Sequence, residues 1–346
     1  MRTIDWVTDP DRPGREGRIE LIDQTALPGE LRVLRIAAVT DLVAAIRSLA
    51  VRGAPALGVA GAFGVALAAR QFADDPAGLA AAVHEIETAR PTAVNLARGT
   101  RRAAELLSSG PDAVLREAYA VRDEEIASSE AMALRGADLI SELCGPRPRL
   151  LTHCNTGGLC TVTVGTALGV IGELHRRGAL AGVIASETRP LLQGARLTAW
   201  ELTQWGVDFR VAVDSAGPFL MARGEVQAVI LGADRICANG DVINKIGTYA
   251  HALGAHRAGL PFVVVAPEST VDLDTLDGAA VEIEDRGAAE VTALSSPVNP
   301  AASVNPAASV GPAAAVNPAF DVTPHDLVTA IVTERRVIRL DRGEKP

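Results

Sequence analysis

The sequence predicts an α/β fold in which a Rossmann-like parallel sheet forms the C-terminal domain and a short sheet plus a helical bundle forms a smaller N-terminal domain. Two observations support this prediction. Helical periodicity dominates residues 1–120, whereas apolar strands and helices alternate from residue 149 onwards. A chain of 346 residues is long enough for two domains, and we place them at 1–125 and 126–346.

In the N-terminal part, residues 18–23 and 31–36 alternate apolar and polar side chains, as strands of a half-buried sheet do. Helical patterns then follow over 56–70, 77–88, 93–107 and 112–140. The first of these lies in an uncharged run of seventeen residues between Arg52 and Arg70, short for a bilayer span of about 20 residues. Its glycines, spaced three apart, predict a closely packed buried helix, and no membrane association is expected.

The C-terminal part predicts strands near 149–153, 181–186, 208–213, 227–232 and 261–266, and helices over 158–177, 191–205, 217–223, 244–258 and 326–334. This alternation predicts a parallel sheet with right-handed crossovers. Ligands of such sheets bind beyond the carboxyl ends of the strands. Valines recur every six residues over 298–316 in a Pro- and Ala-rich context, which predicts a surface loop insertion.

Composition restricts the classes of partner. The net charge of −9 and the pI near 5.3 argue against a nucleic-acid partner. Four cysteines without dense spacing, and an N-terminus without an apolar signal core, predict reduced thiols in the cytoplasm. There is no HExxH motif and no cysteine pair at zinc spacing, so no metal is expected. No GxGxxG motif follows a predicted strand, so no dinucleotide cofactor is expected either.

Cys154 is the first candidate catalytic residue. It follows an apolar strand and precedes Gly157 and Gly158, which are expected to begin a helix. A helix N-terminus stabilises a thiolate and exposes backbone amides that can hold a phosphate. A buried structural cysteine is the alternative interpretation. The adjacent His153 points to the other face of the strand and is expected to be a hydrogen-bonded core histidine.

Asp234 is the second candidate, because it follows a wholly apolar strand whose surroundings raise a carboxyl pKa and favour a proton donor. Asn244 and Lys245 come next, at the expected head of a helix, and offer an amide and an ammonium to a sugar oxygen or a phosphate. Arg52 and Arg90 lie in apolar turns of the N-terminal half and suit bidentate phosphate binding. We therefore expect a ligand held between the two halves.

Through these residues and the motifs around them, the sequence resembles the methylthioribose-1-phosphate isomerase family. This family lies within the superfamily shared with the α, β and δ regulatory subunits of a eukaryotic translation initiation factor. The motifs that carry the likeness lie at 21–28, 51–58, 90–96, 152–158, 187–194, 232–235, 244–248 and 317–324. They extend over nearly the whole chain.

The resemblance implies that Cys154 and Asp234 are the catalytic pair. It also implies a homodimer, and substrate contacts from Arg52, Gly53, Ala54, Arg90, Gln193, Asn244 and Lys245. The expected activity is conversion of 5-methylthio-ribose 1-phosphate to 5-methylthio-ribulose 1-phosphate, a step of methionine salvage that needs no cofactor. Two alternatives stay open: isomerisation of 5-deoxyribose 1-phosphate or ribose 1,5-bisphosphate, and a non-catalytic regulatory subunit.

Overall fold

The computed structural model describes residues 2–8, 17–91, 93–292, 294–295, 303–304 and 315–346. Most of the predicted 298–316 insertion therefore lies outside the described residues. The elements described in the N-terminal part are β1 (Ile4–Val7), β2 (Arg18–Ile22), β3 (Val33–Ile36), α1 (Val39–Arg47), α2 (Ala54–Gln71), α3 (Pro76–Thr88), α4 (Val94–Ala104) and α5 (Pro111–Cys144). The three strands form an antiparallel sheet in the order β1-β2-β3.

Helix α2 is the buried centre of the N-terminal part, as its glycine spacing predicts. Its residues from Ala56 to Ala69 are all buried, and α4 packs against it closely enough that a Cβ at Gly99 would lie 2.0 Å from the Gly58 carbonyl oxygen. Glycine is needed there because any side chain would force the two helices apart. In the described part of the chain, no helix is long and apolar enough to cross a membrane.

Helix α5 connects two hydrophobic cores. Val114 and Ala118 belong to the core of the N-terminal helices, whereas Met132 and Ala137 belong to the core beneath the large sheet. The expected division between residues 125 and 126 falls inside this continuous helix. That division stays a prediction.

The C-terminal part alternates strands and helices. Its described elements are β4 (Arg149–Thr152), α6 (Ala167–Arg176), β5 (Gly182–Ser186), α7 (Ala199–Trp205), β6 (Phe209–Ala212), α8 (Ala216–Ala222), β7 (Ala228–Leu231), β8 (Arg235–Cys237), β9 (Val242–Lys245), α9 (Thr248–Ala258), β10 (Phe262–Val265), β11 (Val271–Asp272), α10 (Ala289–Thr292), β12 (Leu294–Ser295), β13 (Ser303–Val304), β14 (Phe320–Thr323), β15 (Ala330–Val332) and β16 (Val337–Ile338).

The large sheet has the order β16-β15-β10-β7-β4-β5-β6 and is parallel except for the pairing of β16 with β15. Three of its strands, β5, β7 and β10, are wholly buried and mostly aliphatic, as expected when helices cover both faces. The mixed α/β fold and the parallel-dominated sheet are therefore confirmed. A smaller sheet, β11-β8-β9-β14, lies beyond the end of β7.

Three helix predictions are wrong, each because of contacts made far away in the chain. The helix expected over 158–177 begins only at Ala167. The helix expected over 244–258 begins at Thr248, because 242–245 pair with β14. The helix expected over 326–334 is replaced by β15, whose three buried residues complete the sheet beside β10.

Candidate active site

The two candidate catalytic residues follow neighbouring strands. β4 and β7 pair in parallel and end at Thr152 and Leu231. Neighbouring strands lie about 4.8 Å apart, and Cys154 and Asp234 come two and three residues after the two strand ends. The fold thus brings the thiol and the carboxylate to one edge of the sheet.

Cys154 has an unusual backbone conformation for a residue that is not glycine. Its φ of 62° lies in the left-handed region, and its side chain is half-buried. Two threonines hold the peptide: Thr188 Oγ1 accepts from the Cys154 N–H at 2.8 Å, and Thr198 Oγ1 donates to the Cys154 carbonyl at 2.6 Å. Such conformations persist where the surroundings over-determine them, often at functional sites.

The glycine pair after Cys154 does not begin a helix, so the expected helix N-terminus is absent there. A Cβ at Gly157 would lie 2.2 Å from Glu201 Oε2, and one at Gly158 would lie 2.1 Å from the Thr163 carbonyl oxygen. The pair instead gives the loop room to close over the Glu201 carboxylate. The amides of Gly158 and Leu159 donate to Glu201 and are not free for a substrate anion.

Asp234 follows β7 and lies within electrostatic reach of Arg52 and Arg90 of the N-terminal half. Its side chain is accessible to water, yet protein surrounds it closely enough that desolvation raises its pKa. Lys245, Arg52 and Arg90 oppose that rise through their positive charges. A carboxyl whose pKa is raised in this way suits general acid catalysis.

Arg52 and Gly53 join the N-terminal half to the loop after β4. Arg52 Nη2 donates to Asn155 Oδ1 at 2.5 Å. Gly53 has a φ of 93°, and a Cβ there would lie 2.4 Å from the Cys160 carbonyl oxygen. Ala54 begins α2 directly afterwards. Only glycine allows α2 and its preceding arginine to come this close to the loop that carries Cys154.

Arg90 lies in the connection between α3 and α4, four residues before α4 begins. Burial and the nearby charges of Arg286 and Arg52 lower its pKa, whereas Glu284 and Asp234 raise it. Three guanidinium groups and the Asp234 carboxyl therefore share one electrostatic environment, which suits a phosphate ester.

Asn244 and Lys245 are the last residues of β9, so the expectation that they begin a helix is wrong. They pair with β14, a strand more than seventy residues later in the chain. Lys245 Nζ donates to the Ala319 carbonyl at 2.8 Å and lies 4.4 Å from the centre of the Phe320 ring. The strand still directs the ammonium towards Asp234, whose pKa it lowers.

Gln193 is buried and directly precedes a π-helical segment, Gly194–Thr198. Its Oε1 has no hydrogen-bond partner in the described part of the chain. A buried acceptor without a partner is costly, and π-helical turns are frequent at functional sites. Both observations are consistent with the substrate contact that the resemblance implies.

Several residues of this region escape sequence reasoning, namely Asn155, Thr188, Thr198 and Glu201. The first three lie close to the motifs quoted above, but their contacts are made across the fold. His153, by contrast, is confirmed as a core histidine: it is fully buried, and its Nε2 lies 2.8 Å from the Ile246 carbonyl oxygen. No group of three potential metal ligands occurs among the residues that the structure describes.

Over residues 50–339 the chain matches the initiation factor 2 subunit family, and it belongs to that family. Within it, the chain is similar to named isomerases. A methylthioribose-1-phosphate isomerase of Anaeromyxobacter sp. (strain Fw109-5) is 50% identical over 327 residues, which cover 94% of this chain and 93% of the relative. A 5-deoxyribose 1-phosphate isomerase of Moorella thermoacetica is 46% identical over 338 residues, covering 94% and 93%.

A probable bifunctional methylthioribose-1-phosphate isomerase/methylthioribulose-1-phosphate dehydratase of Nocardia farcinica is 50% identical over 98% of this chain, which spans 60% of that relative's length. Among solved structures, the 5-methylthioribose 1-phosphate isomerase of Pyrococcus horikoshii OT3 is 36% identical, with a TM-score of 0.83 and coverage of 98% of this chain and 92% of that one. Subunit delta of translation initiation factor eIF-2B from A. fulgidus is 38% identical, with a TM-score of 0.79 and coverage of 98% and 96%. The family resemblance is confirmed.

Proposed function

We propose that the chain is an aldose–ketose isomerase that converts 5-methylthio-ribose 1-phosphate to 5-methylthio-ribulose 1-phosphate in methionine salvage. The observation that carries this proposal is the placement of Cys154 and Asp234 after the neighbouring parallel strands β4 and β7. Relatives that are about 50% identical over nearly the whole chain carry the same activity in their names.

In the proposed mechanism, the substrate phosphate binds to Arg52 and Arg90 and stays attached throughout. Asp234, whose raised pKa favours the protonated form, donates its proton to the ring oxygen while the bond from that oxygen to carbon 1 breaks. Hydrogen then moves from carbon 2 to carbon 1, and the carbon 2 hydroxyl becomes the ketone by returning its proton to the Asp234 carboxylate, which restores the acid for the next turnover. Gln193, Asn244 and Lys245 hold the sugar, and the amides at Gly53 and Ala54 approach the phosphate.

The hydrogen transfer has two possible courses. Cys154 can carry the hydrogen as a proton, or the hydrogen can shift as a hydride in a site that excludes water. Turnover in D₂O distinguishes them, because a proton held on a thiol exchanges with solvent and a hydride does not. Deuterium at carbon 1 of the product supports the Cys154 route.

Hydrogen, in place of the methylthio group, is a second candidate for the substituent at carbon 5 of the substrate. The Moorella thermoacetica relative is named for 5-deoxyribose 1-phosphate, which differs from the first candidate only by lacking the methylthio group. Both substituents are uncharged, whereas ribose 1,5-bisphosphate would bring a second phosphate. A regulatory subunit without activity is the rival from another class, and the presence of Cys154 and Asp234 with Arg52 and Arg90 argues against it.

A coupled ketose assay with the purified chain and the three sugar phosphates tests the proposal. We expect the highest kcat/KM with 5-methylthio-ribose 1-phosphate. Asp234→Asn and Cys154→Ala are each expected to fold and to lose at least about 10²-fold in kcat, the lower range for general acid–base catalysis. Cys144→Ala is the matched control, because that thiol donates to the Gln227 carbonyl and packs against the core under the large sheet. Absence of turnover with all three sugars would favour the regulatory subunit.

We further propose that the enzyme is a cytoplasmic homodimer. β6 is an edge strand of the large sheet, and the apolar side chains of Val211, Val213 and Phe219 on and after it are exposed. Exposed apolar groups at a free sheet edge are typical of an interface between copies. Val213→Lys is expected to produce monomers in sedimentation measurements, and an unchanged dimer would place the interface elsewhere.

A further inference from the structure

Glu201, on α7, is a buried carboxylate that the proposed mechanism does not use. Its Oε1 accepts from the Leu159 N–H at 3.2 Å, and its Oε2 accepts from Asn155 Nδ2 at 2.7 Å. Gly157 and Gly158 leave the space that it occupies. No arginine or lysine within the described ranges forms a direct ion pair with it; burial raises its pKa to about 7, and the positive charge of Arg52 offsets part of that rise.

A single side chain, that of Asn155, connects Glu201 to Arg52, one of the proposed phosphate ligands. Asn155 is also buried, donates through Nδ2 to Glu201 and accepts through Oδ1 from Arg52 Nη2 at 2.5 Å. An amide has one donor end and one acceptor end, so the acceptor on Glu201 fixes which end faces the guanidinium. With the amide reversed, two donors would face each other at Arg52.

We propose that Glu201 is a positioning residue for the isomerase: it orients the Asn155 amide, which in turn holds the Arg52 guanidinium in place for the substrate phosphate. This inference rests on the proposed function, since it takes Arg52 as a phosphate ligand. It also gives the glycine pair after Cys154 a physical role, because the loop must approach the carboxylate closely.

Glu201→Gln tests the proposal with almost no change in shape. The glutamine has only one acceptor, so either Leu159 N–H or Asn155 Nδ2 faces the new NH₂ group. We expect KM for the sugar phosphate and Kd for inorganic phosphate, measured by calorimetry, each to rise about tenfold, with kcat changed less than about threefold. Unchanged KM and Kd would overturn the proposal.

A combined variant, Asn155→Asp with Glu201→Gln, reverses donor and acceptor between the two positions. The new carboxylate at position 155 still accepts from Arg52. The new amide at position 201 donates to that carboxylate through its NH₂ group and accepts from the Leu159 N–H through its oxygen. We expect this variant to recover most of the loss caused by Glu201→Gln alone.

The combined variant also serves if the single variant does not fold, because it keeps the hydrogen bonds that join Arg52, position 155, position 201 and Leu159. It loses only the longer bond, 3.3 Å, from Asn155 Nδ2 to Thr198 Oγ1. A combined variant that binds phosphate no better than Glu201→Gln would overturn the proposal.

Leu202→Ala is the matched control, since Leu202 is the next residue of α7 and lies in the core under the sheet. It is expected to lower Tm without changing KM or phosphate Kd. An equal rise of KM in this control would reduce the role of Glu201 to general stability and overturn the inference. Phosphate binding is measured without substrate, so its result stands apart from whether the proposed sugar is the true one.

Discussion

We expect the free energy of unfolding to depend on pH because of the buried carboxyl of Glu125. The substitution Glu125→Gln isolates the contribution of this one group. Glu125 lies on α5 and lines a cavity of about 440 Å³ between the N-terminal helices and the loops that follow β10 and β15. Its Oε1 is buried without a hydrogen-bond partner in the described part of the chain. Burial, with a smaller contribution from the nearby Glu334 carboxylate, raises the Glu125 pKa from 4.5 to about 8.

The magnitude follows from linkage. The folded protein keeps the Glu125 proton between pH 4.5 and about 8, whereas the unfolded chain loses it, so the free energy of unfolding falls as pH rises through this range. Each pKa unit corresponds to about 1.4 kcal/mol, so the full penalty above pH 8 is at most about 5 kcal/mol. Water that reaches the cavity screens part of it, and we expect about 2–5 kcal/mol.

Urea denaturation of the parent and of Glu125→Gln at pH 5 and pH 9 measures the effect. The variant is expected to match the parent at pH 5 and to be more stable by about 2–5 kcal/mol at pH 9. Burial also raises the pKa of Glu201 to about 7 and of Asp321 to about 6, but both groups remain in the two proteins and cancel in the difference. Glu130→Gln, on an exposed position of the same helix, is the control for loss of one charge.

A difference between Glu125→Gln and the parent that is the same at pH 5 and pH 9 would refute this reasoning, because a general packing effect does not depend on protonation. So would a variant that is less stable at pH 9. Glu334→Gln gives a further check. It removes the neighbouring charge, lowers the Glu125 pKa and therefore reduces the pH dependence without abolishing it.

Two further predictions concern the packing of α2 against α4 and the loop that carries Cys154. Gly99→Ala places a Cβ 2.0 Å from the Gly58 carbonyl oxygen and is expected to lower stability by at least about 1–3 kcal/mol, measured as a fall in Tm; an unchanged Tm would mean that α2 and α4 separate freely. Thr198→Val removes the hydroxyl that donates to the Cys154 carbonyl and is expected to reduce kcat about tenfold, the equivalent of one buried hydrogen bond. Thr198→Ser keeps the hydroxyl and should retain activity, and equal losses in both variants would contradict the assigned role.

Much of the sheet was predictable because its strands are buried on both faces. Such strands are mostly apolar runs, and their positions are fixed by local sequence to within a residue or two, as for β4 and β7. The adjacency of Cys154 and Asp234 follows from the same fact, since residues after parallel strands meet at one edge. Arg52 and Arg90 were proposed from their apolar surroundings, and their contacts with a substrate stay a prediction.

The elements that could not be predicted depend on partners distant in sequence. Asn244 and Lys245 follow two apolar residues and precede a helix, and nothing local reveals that β14 pairs with them. Ala330–Val332 is equally ambiguous until β10 is present beside it. Short apolar segments carry too little periodicity to separate a strand from a helix, so the neighbouring strand decides.

At the glycine pair after Cys154 the predicted local structure is wrong, whereas the catalytic role of Cys154 stays a prediction. A helix beginning at Gly157 would stabilise a thiolate by its dipole, whereas the structure uses the same amides to hold Glu201. The left-handed backbone of Cys154 costs about 1–3 kcal/mol, and the hydrogen bonds that its N–H donates to Thr188 and its carbonyl accepts from Thr198 offset this cost. Glycine at position 154 would remove that cost together with the thiol. The strain is therefore better explained by the chemistry of the sulfur than by the fold, and Cys154→Gly is the change for which stability and activity should move in opposite directions.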